Sequence, residues 1–300
     1  MISATHWPAV FAGMFSGMIF GIYWIILRGL ETYGFTGIQA VMVFNLVPTA
    51  FLLPFLVWRW RSYLPGRWRL HLGAFLFGLS YVMYAASFLY TEVVKVIALF
   101  YILPIWGFLF ARIFIKEPIT PIRWLSMAMA FSGLYILFAQ NSGLPMPQNS
   151  GDYLALIAGV TWASASLVIL TDKPDPVSYS LGFFFWSSLI SVLFFLLVLP
   201  DGSTEFFSLN AVRSLPWWII PVALLILIPA GFCAVYAPSK INPGVVGLLF
   251  MTEVSVGVVT AALLANEPFG IREITAVILI SVGGLAEPFS NLRRKPVHRS

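Results

Sequence analysis

Stretches of predominantly apolar residues, each about twenty residues long, recur along the whole chain between short segments that hold charges, proline or glycine. A helix of that length rises far enough to cross the hydrocarbon core of a bilayer. The predicted fold class is therefore an all-α membrane protein with ten transmembrane helices. We place these helices near residues 8–28, 36–57, 70–90, 93–113, 121–139, 151–170, 177–199, 215–237, 242–264 and 271–290.

The composition supports a membrane protein and excludes several other classes. Hydrophobic residues make up 60% of the chain and charged residues 10%, against about 45–50% and about 25% in soluble domains. The single cysteine, Cys233, lies in an apolar stretch, which leaves no disulfide framework and no cysteine-based metal site. We predict no metal and no cofactor. The net charge of +5 is spread over the ends of the apolar stretches, so we predict no nucleic-acid partner.

The distribution of lysine and arginine predicts the orientation of the chain in the membrane. With ten helices, thirteen of these residues fall on the side of the two termini and four on the opposite side. Because cytoplasmic segments carry the excess of positive charge, we predict cytoplasmic N- and C-termini in a bacterial-type inner (plasma) membrane. The first apolar stretch has no preceding positive charge and no small-residue cleavage site, so we predict that it stays as the first helix.

The two halves of the chain resemble each other at a shift of 150 residues. The identical pairs are Val96 and Val246, Leu99 and Leu249, Phe100 and Phe250, Gly107 and Gly257, Glu117 and Glu267, Pro118 and Pro268, and Gly133 and Gly283. We predict five helices in each half, with residues 1–140 as the first and 141–300, including a short basic tail, as the second. An odd number of helices makes the halves inverted repeats, as in many secondary transporters, whose substrate site lies near the membrane midplane between the halves.

A Glu-Pro pair followed by an arginine recurs at the same shift of 150 residues. The first copy is Glu117-Pro118 and the second is Glu267-Pro268. Proline ends a helix, and at a helix end the glutamate and the arginine can meet water, lipid headgroups or each other. We predict that the two pairs mark the inverted architecture and that the substrate site lies deeper in the membrane.

These motifs resemble the drug/metabolite transporter superfamily, in its EamA-like branch. An apolar helix with a proline at its midpoint, Pro104, is followed thirteen residues later by Glu117, and the sequence GLYIL begins at Gly133. The resemblance covers nearly the whole chain. It implies ten helices in a five-plus-five arrangement and transport of small molecules across the membrane.

The chain departs from that family at the midpoints of the fourth and ninth helices. The family often has a Glu-Pro pair at both places, whereas this chain has Leu103-Pro104 and Glu253-Val254. Each half therefore keeps one member of the pair. Within the family, the many tryptophan, tyrosine and phenylalanine residues inside the helices are similar to the bacterial YddG-type exporters of aromatic amino acids.

Glu253 is the only acidic residue near the middle of a predicted helix. A charge at that depth costs about 2.5–3.5 kcal/mol on insertion scales, so such a residue normally faces a cavity or a partner. Two interpretations stay open. Glu253 carries protons or anchors a substrate ammonium group, or it is a protonated acid that bonds a neighbouring hydroxyl and holds two helices together.

Aromatic and polar residues in the interior of the helices are further candidates for a substrate cavity. Tyr81 and Tyr84 are three residues apart and share one helix face. Aromatic rings with a few hydroxyl groups suit flat amphipathic molecules through stacking and cation–π contact. Ordinary packing is the alternative for any single ring, and an interhelical hydrogen bond is the alternative for Asn45. The predicted cavity residues are Trp106, Trp162, Tyr81, Tyr84, Tyr101, Glu253, Asn45, Ser164 and Trp186.

Three glycines recur every four residues on one face of the first helix. They are Gly13, Gly17 and Gly21. This spacing predicts close helix packing, and the alternative is that these glycines let the helix bend or slide during gating. Pro104, at the midpoint of the fourth helix, is a second candidate for such a gating or packing role.

Together these features predict a secondary transporter that exports small amphipathic metabolites, with aromatic or hydrophobic amino acids as the first choice, by alternating access through a central cavity. The alternatives are an exporter of another class, such as purines or cationic drugs, and a channel-like facilitator. No H-E-x-x-H or G-x-S-x-G motif occurs, so we predict no enzyme and no catalytic residue. The expected partners are the substrate and the lipid bilayer, and the expected form is a monomer.

Overall fold

The computed structural model describes residues 7–35, 37–59, 68–91, 93–138, 147–172, 175–198, 213–264 and 269–292. Within these ranges the regular structure is helical and no strand occurs. The second predicted Glu-Pro pair, at 267 and 268, lies outside the described residues.

Ten helical spans follow one another along the chain, numbered here from 1 to 10. Of the spans in the described ranges, nine are long and apolar enough to cross a membrane by length and composition, and span 5 is the tenth. Helices suit this environment because each satisfies its backbone polar groups internally. The spans are 1 (Trp7–Gly21 and Tyr23–Glu31), 2 (Ile38–Trp58), 3 (Trp68–Ser87), 4 (Val93–Phe100 and Leu103–Phe114), 5 (Pro121–Phe138), 6 (Ser150–Asp172), 7 (Pro176–Val198), 8 (Ile219–Val222, Ala223–Leu227 and Ile228–Tyr236), 9 (Pro243–Phe250 and Thr252–Leu264) and 10 (Ile271–Leu292).

The largest difference from the predicted boundaries lies in span 8. Its first helix begins at Ile219 rather than near residue 215. Between Pro221 and Pro229 the helix widens into a π-helical segment, Ala223–Leu227. A proline lacks the backbone N–H and displaces the preceding turn, so a locally wider helix accommodates the change.

Spans 4 and 9 are each interrupted near their middle. The first helix of span 4 ends at Phe100 and the next begins at Leu103, and the first helix of span 9 ends at Phe250 and the next begins at Thr252. Phe100 and Phe250 are an identical pair of the sequence repeat, so the two interruptions occupy equivalent places. Interrupted helices near the bilayer midplane are a feature of transporters built from inverted repeats.

Contacts between the spans follow an approximately twofold pattern. Span 1 packs against span 9, and correspondingly span 6 packs against span 4. Span 3 contacts span 6 as span 8 contacts span 1, while spans 4 and 9, 5 and 10, and 2 and 7 pack on each other. This arrangement confirms the predicted fold class, with ten helices in two inverted five-helix repeats.

Two glycines, one in span 1 and one in span 6, let these helices touch the backbones of spans 9 and 4, and the two contacts are equivalent in the repeat. A Cβ atom added to Gly159 in span 6 would lie 2.8 Å from the carbonyl oxygen of Phe100 in span 4. In the other half, a Cβ atom on Gly17 in span 1 would lie 3.0 Å from the carbonyl oxygen of Phe250 in span 9. Small residues permit this approach, which supplies the van der Waals contact that holds helices together in lipid.

The interface between spans 5 and 10 uses the glycine pair that the sequence repeat makes equivalent. A Cβ atom on Gly133 would lie 2.8 Å from the carbonyl oxygen of Ala276, and one on Gly283 would lie 2.8 Å from that of Ser126. Each helix therefore presents its glycine to the backbone of the other.

A buried ion cluster joins spans 5, 9 and 10 at the end of span 4. Arg123 is only 5% exposed, and its Nη2 lies 2.6 Å from Oε1 of Glu117 while its Nε lies 3.2 Å from Oε1 of Glu287. Asn242, the N-cap residue of span 9, donates from Nδ2 to Oε2 of Glu117 over 2.6 Å. The sequence analysis allowed Glu117 and the following arginine to meet water, lipid headgroups or each other. In the structure they meet each other. The sequence analysis did not single out the third member, Glu287.

We expect Gly283→Ala to lower the free energy of unfolding by about 1–3 kcal/mol, because the added methyl group forces the two helices apart. The measurement is chemical denaturation in mixed micelles. Gly257→Ala is the control, since a Cβ atom there meets only the carbonyl oxygen of Gly21, at 3.6 Å, and alanine favours the helix. Equal losses for both variants would contradict the close-packing account.

We expect Arg123→Met to lower the free energy of unfolding by about 3–5 kcal/mol, because it leaves two glutamates without their shared cation. Adding Glu287→Leu to this variant should restore part of the loss, since one of the unpaired charges is then removed. Denaturation of both variants in mixed micelles measures the effect. A double variant that is less stable than Arg123→Met would show that the two side chains do not act as a pair.

Candidate functional site

Glu253 lies in the first turn of the second helix of span 9, directly after the interruption of that span. Its Oε1 accepts a hydrogen bond of 2.8 Å from the hydroxyl of Tyr84 in span 3. Its Oε2 lies 2.5 Å from the hydroxyl of Tyr101 in span 4. One acid thus meets two tyrosines of the other repeat, so three of the sequence-predicted residues, Glu253, Tyr84 and Tyr101, lie together.

The hydroxyl of Tyr101 stands between two acceptors. It lies 2.9 Å from the carbonyl oxygen of Phe250 as well as 2.5 Å from Glu253. A phenol has one proton to donate, so two proton arrangements satisfy this geometry. Either Tyr101 donates to an ionised Glu253, or a protonated Glu253 donates to Tyr101, which then donates to the carbonyl oxygen. The site can therefore accept or release a proton without a change of partners.

No cation neutralises Glu253 within the described part of the chain, where its hydrogen-bond partners are the two tyrosines. The ion pairs of the described residues involve other acids. The Glu253 side chain is half-buried rather than enclosed. A partly accessible acid whose partners are neutral hydroxyls is suited to receive a proton or a cationic group from outside the protein.

An aromatic cluster adjoins this acid through Tyr84 and Tyr101. Seven of the ten spans contribute rings to it, namely spans 1, 2, 3, 4, 6, 7 and 9. Neighbouring ring centroids lie 3.9–6.4 Å apart, and most pairs are tilted or edge-to-face, as aromatic rings prefer. Its members are Phe20, Tyr23, Phe44, Phe77, Tyr81, Tyr84, Phe100, Tyr101, Trp162, Phe183 and Phe250.

Trp162 lies at the centre of the aromatic cluster and is 3% exposed. Its ring makes edge-to-face contacts with four phenylalanines, which are Phe20, Phe77, Phe100 and Phe250. The ring Nε1–H has no hydrogen-bond partner among the described residues. A buried donor without a partner is costly, and a ligand oxygen would satisfy it.

The glycine face of span 1 packs against the part of span 9 that carries Glu253. A Cβ atom on Gly13 would lie 3.2 Å from Leu249, and one on Gly21 would lie 2.6 Å from the carbonyl oxygen of Glu253 itself. Together with Gly17, these glycines therefore let span 1 support the backbone of Glu253 directly. The contacts agree with the close packing that their spacing predicts, while a gating role stays a prediction.

Two predicted cavity residues make local or interhelical hydrogen bonds instead. Asn45 is buried, and its side-chain amide donates to the backbone carbonyl oxygen of Val41 one turn earlier. The backbone carbonyl oxygen of Asn45 accepts a hydrogen bond from the hydroxyl of Ser188 in span 7. Ser164 donates to the carbonyl oxygen of Val160 within span 6. These bonds do not reach Glu253 or its tyrosine partners, and a cavity role for both residues stays a prediction.

Two predicted tryptophans also lie apart from the aromatic cluster. Trp186 packs against His71 and Phe75 where spans 3 and 7 meet. Trp106 contacts Phe110 on its own helix, and its buried Nε1–H has no hydrogen-bond partner among the described residues.

Pro104 meets the backbone of span 9. A Cβ atom on Gly247 would lie 3.0 Å from Cα of Pro104, so this proline contributes to the close packing of the two interrupted spans.

The structure adds phenylalanines that the sequence analysis did not propose for the site. The unpredicted phenylalanines are Phe20, Phe44, Phe77, Phe100, Phe183 and Phe250, and Tyr23 joins them. A usable signal existed for two of them, because Phe100 and Phe250 are an identical pair of the repeat and end the first helices of spans 4 and 9. Among the described residues, no group of three or more His, Cys, Asp or Glu side chains is arranged to hold a metal ion.

Two inverted repeats of membrane-spanning helices with interrupted spans are typical of membrane transporters of small solutes. The model of the EamA-like transporter family matches the chain twice, over residues 7–139 and 149–286. The chain belongs to this family, whose members are transporters rather than enzymes.

A solved structure described only as "Crystal structure of protein" has a similar fold. The TM-score is 0.70 with 15% sequence identity, and the match covers 95% of this chain and 99% of that one. At this identity the likeness supports the fold alone. No curated protein matches the chain.

We expect Tyr101→Phe to cost more stability than Tyr84→Phe. The first variant removes the hydroxyl that lies between Glu253 and the carbonyl oxygen of Phe250, for about 1–3 kcal/mol, whereas the second removes a hydroxyl that bonds Glu253 alone. Denaturation in mixed micelles measures both, with Tyr135→Phe as the control, because that side chain is 62% exposed. A Tyr84→Phe variant as unstable as Tyr101→Phe would contradict the role of Tyr101 between two acceptors.

Proposed function

We propose that this protein is a secondary transporter that exports small amphipathic metabolites, and that its substrates are aromatic or hydrophobic amino acids. The observation that supports this most is the position of Glu253. It is held by tyrosine hydroxyls of the opposite repeat, has no ion-pair partner among the described residues, and adjoins an aromatic cluster to which both tyrosines belong.

The chemistry of the site suits an amino group attached to an apolar or aromatic body. The carboxylate of Glu253 attracts an ammonium group, and the surrounding rings offer stacking and cation–π contact within about 6 Å of a ring centroid. The unpaired N–H of Trp162 offers one further donor for an oxygen of the substrate.

Alternating access is the mechanism that the architecture supports. Span 9 carries Glu253, and its tyrosine partners belong to spans 3 and 4, so rocking one repeat against the other would change the surroundings of the acid. Spans 4 and 9 meet closely near Pro104 and Gly247, as well as at Gly107, where an added Cβ atom would lie 2.5 Å from the backbone nitrogen of Gly244. Such close contacts behave as two-state interfaces rather than as flexible joints.

The proposed location is a bacterial-type inner membrane with both termini in the cytoplasm. The excess of lysine and arginine on the side of the termini supports this orientation. In the proposed direction of transport, the substrate leaves the cytoplasm. A monomer contains both repeats and therefore the complete site.

We expect purified protein in proteoliposomes to move labelled phenylalanine or tyrosine in a saturable manner, and to exchange labelled for unlabelled substrate. Protease cleavage of a C-terminal tag reports the orientation, which we expect to place the tag on the cytoplasmic side. Glu253→Gln should reduce transport at least about tenfold and flatten its dependence on pH, since an amide neither titrates nor attracts an ammonium group. Glu31→Gln, at the exposed end of span 1, is the control.

Two outcomes would contradict parts of this proposal. Movement of purines or other metabolites, with no movement or competition by amino acids, would overturn the substrate class. A high flux that does not saturate and shows no exchange would overturn the carrier mechanism in favour of a channel-like facilitator.

A further inference from the structure

We infer that the site recognises the ammonium end of its substrate and offers no ionic partner for a carboxylate. Aromatic amines, and amino acids whose carboxylate is masked as an ester, should therefore bind more tightly than the parent amino acids. This inference rests on the proposed function, because it defines the ligand class of the same site.

The first observation is the charge around the site. Glu253 brings one negative charge, and its partners Tyr84 and Tyr101 are neutral. Among the described residues, the lysines and arginines lie near the ends of the spans or between them, and none forms an ion pair with Glu253. A zwitterionic amino acid would thus bring a carboxylate close to a fixed acid with no cation between them.

The second observation concerns the helix starts in the middle of spans 4 and 9. Exposed helix N-termini bind anions in many proteins, so they are the remaining places for a carboxylate. The start at Thr252 already holds Glu253 in its first turn. The start at Leu103 continues into Pro104, which has no N–H, and Gly247 packs against it, with a Cβ position 3.0 Å from Cα of Pro104.

The N-terminus of the second helix of span 1, which begins at Tyr23, is not open to a carboxylate either. Gly21 precedes it and packs on span 9, with a Cβ position 2.6 Å from the carbonyl oxygen of Glu253. A carbonyl oxygen repels an anion. None of these three helix starts therefore has room and charge for a substrate carboxylate.

The donor that the site does offer is neutral. The Nε1–H of Trp162 has no partner among the described residues and lies in a ring otherwise enclosed by phenylalanines. One neutral donor suits an ester carbonyl or a hydroxyl. A carboxylate removed from water needs several donors or a cation, so a single N–H leaves most of its desolvation cost in place.

The test compares four ligands that share a phenyl ring. They are 2-phenylethylamine, phenylalanine methyl ester, phenylalanine and 3-phenylpropanoate. Isothermal titration calorimetry on the detergent-purified full chain at constant pH gives the dissociation constant of each, without interference from permeation through lipid. We expect the amine and the ester to bind at least about tenfold more tightly than phenylalanine, which corresponds to about 1.4 kcal/mol, and 3-phenylpropanoate to bind most weakly.

Two variants test whether Glu253 causes the preference for the amine. Glu253→Gln should reduce the difference between the amine and phenylalanine to less than about threefold, whereas Glu31→Gln should leave it unchanged. The comparison of ligands on the unaltered protein does not depend on the folding of any variant.

Each result has a distinct meaning for the two proposals. Phenylalanine binding as tightly as 2-phenylethylamine, or an amine preference that survives Glu253→Gln, would overturn this inference and leave the transport of amino acids intact. Failure of all four ligands to bind, together with transport of an unrelated metabolite, would overturn the proposed substrate class and this inference with it.

Discussion

The absence of water inside a bilayer is the constraint on which the rest of this structure depends. Every backbone polar group must be bonded within the protein, and helices gain no hydrophobic stabilisation from each other in lipid, so they associate through close packing. The glycines show how this requirement is met. Gly17 and Gly159 rest on the carbonyl groups of equivalent phenylalanines, and Gly133 and Gly283 join spans 5 and 10. The twofold architecture is built from these contacts.

The same constraint determines where charge can lie. In the cluster at the end of span 4, Arg123 is shared by Glu117 and Glu287, so buried charges compensate each other and join several spans. Glu253 is different, since its described partners are neutral tyrosine hydroxyls. The contrast separates an acid whose charge is paired within the protein from the acid that we propose for binding a ligand or a proton.

The repeat is symmetric in shape but not in chemistry. Phe100 and Phe250 end the first helices of spans 4 and 9, yet the residue after Phe100 is a tyrosine and the residue after Phe250 is Met251. The acid at 253 corresponds to Leu103 in the other half. Because a twofold scaffold places these positions opposite each other, one half supplies the acid and the other supplies the hydroxyl groups that hold it. A single site arises where a symmetric sequence would have produced two.

The sequence by itself determined the number and approximate places of the spans, the inverted repeat and the prominence of Glu253. Apolar length, repeated identities and a charge amid apolar residues can all be read from the order of residues, without knowing which helices touch. Only the tertiary structure decided which candidates belong together. Tyr84 and Tyr101 reach Glu253, whereas Asn45 bonds to Val41 and Ser188 and Trp186 packs on His71 and Phe75. The physical reason is that each partner lies about 150 residues or more from Glu253 along the chain, and such contacts depend on how helices rotate and cross, which the apolar pattern of a membrane helix does not specify.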